Sequence, residues 1–467
     1  MPVRSIADLP GPRRLPLLGN AHQLLPPSHV HLKAESWADR YGPIVRVNLG
    51  LRPIVGISSH EAINEILRDR PGGYRRWLDQ RAVIEEMGPP GLFIVEGDDW
   101  KRQRRLVVTA LNTNHIHRYF EVVRLSTERL HRRLLEAARQ ARTLDICDEL
   151  TSYTVDITSA LALGHDLNTL ERGDGEIQGH IRRVMQMTGR RLAAPFPYWR
   201  HFRLPADRAL DRSTEQMHKA IDGFIKDARK RMDARPESYE KPVNLLEGML
   251  AAQKTDDGAF TDDEIAGNVF VILLAGEDTT AHTLAWTLWL LGSRPEHQRL
   301  LAEEAREQLG DQPFPSEFET TDGLNYAEAV VQESIRLKAV TAMLAVEPIN
   351  DTTICDTQIP AGTRLLLLLR YASREAAGST EEFVPERWLT ADEETQPKKT
   401  LAFGAGPRFC PGRNLAILES KTALAMIARN FEWDLDESAG PVTEAFEFAV
   451  VPRKLRIRIR ERAKAAV

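Results

Sequence analysis

The sequence predicts a mainly α-helical chain with small β-sheets, and three observations predict it. From His60 to about Asn430 apolar residues recur at three- and four-residue spacing, as in Ala327 to Leu337, in stretches broken by Pro and Gly clusters. Strand-like runs are short and few, and most lie near the two ends. The 467 residues contain no internal repeat and no clear domain boundary, and a chain of this length can bury a cofactor completely.

In order along the chain, Ile44 to Asn48 and Ile54 to Ile57 gather β-branched residues around Gly50 and Pro53, which predicts a hairpin. Pro195 to Pro205 holds Phe196, Tyr198, Trp199 and Phe202 among prolines, and reads as a packed connection between helices rather than an entrance lid. Arg235 to Pro242 and Ala391 to Lys399 are polar and loop-like, without the length of an interdomain linker. A helix spans Glu264 to Ser293, a strand Leu365 to Leu369, and another helix starts about Pro411. At the end Leu455, Ile457 and Ile459 alternate with Arg456, Arg458 and Arg460, a strand with one buried face.

With 62 Lys+Arg against 67 Asp+Glu the formal charge is −5, which argues against a protein built to coat nucleic acid and for a small-molecule or protein partner. Cys147, Cys355 and Cys410 are too scattered for a disulfide framework or a CxxC zinc site, so the expected compartment is reducing. The sequence shows no signal-peptide core and no apolar run of spanning length, which predicts a cytoplasmic protein without a membrane anchor.

The most informative stretch is Leu401 to Phe431, a glycine-rich loop running into a helix with Cys410 at the junction. A helix N-terminus favours an anion, so a thiolate there is stabilised and its donation to a metal can be tuned. Gly404, Gly406 and Gly412 let backbone approach a flat cofactor, and Arg408 suits an anionic group at that cofactor's edge. A lone cysteine is more often an inert buried residue; its surroundings decide otherwise here. In the middle of the Glu264 to Ser293 helix, the apolar run Phe270 to Ala275 gives way to Gly276-Glu277-Asp278-Thr279-Thr280. Polar groups inside a buried helix need partners. Either Thr279 bonds a carbonyl of the preceding turn and Asp278 pairs with a base, or an acid and an alcohol sit beside a ligand, with Gly276 allowing the helix to widen.

FGAGPRFCPG resembles, at Phe403, Gly406, Arg408, Cys410 and Gly412, the haem-binding signature of the cytochrome P-450 family, and the chain as a whole resembles its soluble, bacterial-type members. The resemblance implies a single domain over 1–467 with the family's triangular-prism-like fold: a β-rich portion about 40–60, a helical core about 60–430 and a C-terminal β-hairpin about 445–461. Haem b, iron protoporphyrin IX, is then buried between the long central helix and the cysteine-loop helix, with Cys410 as the axial thiolate to iron. AGEDT matches the family's central-helix pattern, which implies that Ala275 borders the haem and that Asp278 and Thr279 help deliver protons to dioxygen. Glu333, Arg336 and Arg387, from ExxR and PERW, are implied as a structural network bracing the cysteine loop. Trp100 and Arg104, from WxxxR, are implied at a haem propionate. Their neighbours Lys101, Arg102 and Arg105 are expected nearer the surface, where a basic face docks an acidic electron donor.

One departure stands out. The family commonly carries an Arg for the second propionate after ESIRL, whereas here Val346 or Glu347 falls near that place. The implied substrate pocket is lined by Ile84 to Ile94 with Phe93, by Val271 and Leu274, by Ala339 to Val346 with Val340, and by Phe446 to Ala449. This mostly apolar lining suits a small lipophilic substrate such as a fatty acid, terpenoid or steroid. The reaction implied is monooxygenation with O2, electrons arriving from a ferredoxin or flavodoxin and its NAD(P)H-dependent reductase, since no nucleotide-binding fingerprint is present. A peroxygenase or isomerase on the same fold, or a haem-based sensor, are the competing readings.

Overall fold

The computed structural model describes residues 4–111, 113–173, 176–192, 194, 196–255, 260–378, 381–390 and 400–463. The segment Ala391 to Lys399, expected as a loop, and Pro195 lie outside them. Among the described residues helices dominate and the strands form four small sheets, as the apolar periodicity predicts.

The central helix is Asp262–Gly292. Thr261 caps it: the Thr261 hydroxyl accepts from the Glu264 amide at 3.2 Å while the Glu264 carboxylate accepts from the Thr261 amide at 2.9 Å. Asp262, Asp263 and Glu264 in its first turn complement the helix dipole. Its closest neighbour is the helix Ile146–Leu163, buried on nearly every side. A Cβ on Gly276 would stand 2.5 Å from Thr158 Oγ1, so this glycine is required by the contact between the two helices; widening of the central helix is not what it provides. Thr154 of the neighbour donates to the Glu277 carbonyl at 2.8 Å and fixes the same crossing.

The largest sheet has the strand order Ile44–Leu49, Arg52–Ile57, Arg364–Leu367, Leu344–Pro348, Tyr74–Arg76, antiparallel except between the second and third. The C-terminal expectation needs correction. Thr443–Glu447 and Ala449–Arg453 form their own hairpin, turning at Phe448 with φ +73°, whereas Arg456–Glu461 leaves it to join Phe431–Leu435 and Thr143–Asp145. One hairpin over 445–461 is therefore two sheets, because Lys454, also at positive φ, redirects the chain before Arg456. The main apolar core lies among the helices, and a second packs the large sheet against the helix His60–Arg68. Among the described residues no helix is long and apolar enough to cross a membrane.

Candidate active site

The cysteine helix begins at Arg413 rather than Pro411, so Cys410 stands just ahead of a first turn whose amides lack intrahelical partners. The Cys410 amide donates to the Phe403 carbonyl at 2.8 Å, which closes the loop on itself. Burial pushes the Cys410 thiol up, while the amides of Gly412 and Arg413 and the charges of Arg104 and Arg413 act to hold its proton off. Gly406, at φ +64°, has a packing reason beyond the one its sequence suggests: a Cβ there would come within 2.6 Å of Arg68 Cα. A Cβ on Gly412 would meet only the Cys410 sulfur, at 3.9 Å. The Arg413 guanidinium covers the Phe403 ring at 5.9 Å.

On the central helix Val271, Leu274, Ala275, Asp278 and Thr279 fall at i, i+3, i+4, i+7 and i+8, one stripe of a helix. Ala275 is exposed and the other four are half-buried, while Leu273, Glu277 and Thr280 on the opposite face are buried. The predicted catalytic pair and part of the predicted pocket thus share the open face. The Thr279 hydroxyl donates to the Ala275 carbonyl at 2.8 Å, and Thr283 and Thr287 bond back in the same way, each at 2.8 Å. His282, one turn beyond Asp278, bonds the Asp278 carbonyl at 2.7 Å, and burial lowers its pKa.

Glu333, Arg336 and Arg387 come together in the interior. The Glu333 carboxylate accepts from Arg336 at 2.8 and 2.9 Å, from the Val384 amide and the Trp388 indole at 2.9 Å, and from Arg387 at 3.2 Å. Burial alone would raise this carboxyl; the Arg336 bonds and the Val384 amide outweigh it and hold it low. Arg336 also donates to the Glu382 carbonyl at 2.8 Å, so the helix Asn325–Leu337 and the PERW turn are joined through one carboxylate.

The helix Gly97–Ala110 brings Trp100 and Arg104 to the cysteine loop: Trp100 is buried with the Arg408 guanidinium 4.6 Å over its ring, and Arg104 donates to the Phe409 carbonyl at 2.6 Å. Arg102 does not present a free surface charge. It pairs with Glu264 at 2.5 and 3.1 Å and with Asp99 at 3.0 Å, which ties this helix to the start of the central one. Lys101 is likewise paired, with Asp98 at 2.9 Å. The expected docking face keeps Arg105, which is exposed.

Sequence reasoning missed a cluster beside these residues. Arg408 donates to the Val95 carbonyl at 2.8 Å and pairs with Glu96, and Arg76 donates to the Phe93 carbonyl at 2.7 Å with its guanidinium 3.7 Å over the Phe93 ring. Arg70 is 3% exposed. Burial lowers all three arginines, and neighbouring guanidinium groups lower Arg76 and Arg408 further, Arg408 to about 10. No motif marks Arg70 or Arg76; the signal available in the sequence is only that two basic residues flank Pro71 to Arg75.

The remaining pocket residues are divided. Val340 is buried with Trp286 and the C-terminal hairpin, and Phe446 faces His31 at 6.1 Å. Phe93 meets Phe448, at 6.0 Å, because the turn swings that ring toward it. Trp199 is buried and donates to Glu86 at 2.6 Å, which gives the aromatic connection its packed anchor, while Phe196 and Phe202 stay exposed. Two surface clefts of about 350 and 260 Å³ share Glu86 and His218; the larger takes Glu85, Glu86, Gly88, Pro89 and Pro90 from the predicted Ile84 to Ile94 loop, and neither reaches Phe93, Val271, Leu274, Val340 or Phe446.

A family model described as cytochrome P450 matches residues 9–459. Similar proteins include a cytochrome P450 of Caenorhabditis elegans, CYP13A7, 27% identical over 97% of this chain and 94% of its own. Cytochrome P450 71A23 of Arabidopsis thaliana is 27% identical over 94% and 92%, and cytochrome P450 71A6 of Nepeta racemosa 27% over 95% and 93%. The site fits the group these names imply. The half-buried Cys410 receives two amides and two guanidinium charges, as an axial thiolate requires, and among the described residues Nε of Arg408 and Nε and Nη2 of Arg70 are buried donors without a partner, suited to carboxylates at the edge of a macrocycle. The chain belongs to the cytochrome P450 family and is a haem-thiolate monooxygenase whose cofactor is haem b.

Proposed function

We propose that the chain inserts one atom of dioxygen into a small lipophilic substrate, with Cys410 as the axial ligand, in one domain spanning 1–467. Bound haem supplies the activation of dioxygen by two externally delivered electrons. The residues that would hold it are Cys410, Arg408, Phe403, Gly406, Gly412, Trp100, Arg104 and Ala275. The observation that carries the reading is the open stripe of the central helix, where an apolar wall of Val271, Leu274 and Ala275 runs directly into Asp278 and Thr279. The Thr279 hydroxyl donates its hydrogen bond to the Ala275 carbonyl, so its oxygen remains an acceptor on that face. Asp278, one residue away, is the group that holds and releases the proton. Val340, Phe93 and Phe446 complete the substrate contacts.

Electrons come from a separate ferredoxin or flavodoxin with its NAD(P)H-dependent reductase, and the protein works in the cytoplasm, as soluble bacterial-type members do. The relatives named above are from plants and a nematode, so the donor is assigned by reconstitution: turnover with a ferredoxin or flavodoxin pair supports this reading, and turnover with a diflavin reductase alone removes it. The reaction is tested on the dithionite-reduced, carbon-monoxide-treated protein. The wild type is expected to show the thiolate absorption band and Cys410→Ser to lose it. A panel of fatty acids, terpenoids and steroids is then screened for a change of spin state. A band that survives the serine substitution refutes the assignment of Cys410.

A further inference from the structure

The strand Leu344–Pro348 offers no base where the family carries its second propionate arginine: Val346 is fully buried in apolar surroundings, and Glu347 is paired with Arg75 at 2.8 Å. The neighbouring edge strand supplies one. Tyr74–Arg76 pairs antiparallel with this strand and sets Arg76 opposite Val346. Residues directly opposite in an antiparallel ladder share a face, so Arg76 projects on the side where Val346 stands. Among the described residues the Arg76 guanidinium makes a single hydrogen bond, from Nε to the Phe93 carbonyl. Nε and Nη2 of Arg70, a side chain 3% exposed, have no partner among the described residues, nor has Nε of Arg408. Glu96 is the carboxylate that acts on Arg70, Arg76 and Arg408 alike. Three guanidinium groups around one carboxylate, with three buried N–H donors unmet, lack a further anion bearing several acceptor oxygens.

We propose that Arg76, backed by Arg70, binds a propionate of haem b in place of the arginine missing beside Val346. The inference rests on the haem-thiolate reading. Arg76 acts as a positioning and charge-compensating residue for the cofactor.

The test uses haem-loaded enzyme and the variants Arg76→Met, Arg76→Lys and Arg75→Met. Losing a charge-assisted bond to a carboxylate is expected to speed haem transfer to excess apomyoglobin by about tenfold or more in Arg76→Met, with partial recovery in Arg76→Lys. In Arg76→Met the propionate bending band of the resonance Raman spectrum shifts, and the midpoint potential falls, because a positive charge that disfavours ferric haem is gone. Arg75→Met, whose partner is Glu347, leaves all three readings unchanged. Unaltered haem transfer and an unaltered Raman band in Arg76→Met overturn the assignment. So does inorganic phosphate, added to the wild type, if it shifts that band, since the site then takes a free anion. A wild type without the thiolate band fails the functional reading itself, whereas a normal wild type with a silent Arg76→Met fails only this one.

Discussion

Two clusters of buried charge in this molecule are balanced differently. In the first, Glu35 takes Arg370 through both oxygens, at 2.8 and 2.9 Å, and Arg374 at 2.9 Å, while Glu444 takes Arg370 at 2.7 Å, His31 at 3.0 Å and Lys338. All three donor nitrogens of Arg370 are used, and the cluster ties the helix Val30–Tyr41, the helix Leu369–Glu375 and the C-terminal hairpin into one unit. In the second, Glu96 alone serves Arg70, Arg76 and Arg408, and three buried donors are left over. An unmet buried donor costs roughly 1–3 kcal/mol. A chain that satisfies every Arg370 donor of one network from its own side chains, with His31 Nδ1 its one unmet buried atom among the described residues, and leaves three guanidinium donors of the other open is built for a ligand to finish the second. The closed cluster is a structural tie and the open one a binding surface.

The sharpest way to break this contrast is Glu444→Gln. Burial alone would raise the Glu444 carboxyl, but the His31 bond and the charges of Arg370 and Lys338 hold it far below the carboxylate range. Removing it leaves Arg370 and Lys338 short of counter-charge in the interior, and a broken buried pair costs about 3–5 kcal/mol. Urea unfolding of the haem-loaded protein at neutral pH should show that loss. A lowered folded pKa contributes stability that is present above the unfolded value of about 4.5 and is lost as pH falls below it, so the penalty of the substitution shrinks in acid. A midpoint unmoved by Glu444→Gln removes the distinction between the clusters.

A third buried carboxyl has neither arrangement. Glu419, on the cysteine helix, is 1% exposed with Oε1 unpartnered among the described residues, and burial pushes its carboxyl well above the usual carboxylate range. Here the sign reverses: the folded state holds a proton that the unfolded state releases, and stability declines as pH rises above the unfolded carboxyl value. Glu419→Gln is expected to stabilise the protein at neutral pH, by less than Glu444→Gln costs, with the gain vanishing toward pH 4.5. Thermal melts of both proteins across that range check it, and a pH-independent difference contradicts a protonated Glu419.

What the sequence disclosed follows the reach of each signal. The Cys410 loop, the Asp278–Thr279 pair and Glu333 with Arg336 are spelled by residues close in the chain, and local spacing on a helix brings them to one face. The joining of Glu333 to Arg387 and Trp388 is non-local, and only the order of two short motifs hinted at it. Arg70 and Arg76 carried no motif, because their meaning depends on the register of an edge strand three residues long against a strand about 270 positions later. The same blindness explains Arg102: the sequence shows a basic run, while its partner Glu264 sits 162 residues away. The C-terminal strands were legible as strands, yet their division between two sheets turns on Phe448 and Lys454 adopting a conformation unusual for such side chains.

The smallest expected effect gives the finest measure of the comparison. Glu96→Gln deletes the one carboxylate of the open cluster, as Glu444→Gln deletes one from the closed cluster, and in a chain completed by its own residues the two should cost alike. If haem propionates carry most of the negative charge that Arg70, Arg76 and Arg408 require, the haem-loaded Glu96→Gln protein loses only the charge of the Arg408 pair, since the glutamine oxygen can still accept the long bond from the Arg76 amide at 3.4 Å. That is a loss of about 1 kcal/mol, against the 3–5 kcal/mol of the closed cluster. Haem binding should not weaken, and retention against apomyoglobin should hold or improve, because the remaining guanidinium groups then face the propionates without a competing carboxylate. A loss in urea as large as that of Glu444→Gln, together with faster haem release, would mean that Glu96 closes its cluster by itself and that the three arginines need nothing from outside the chain.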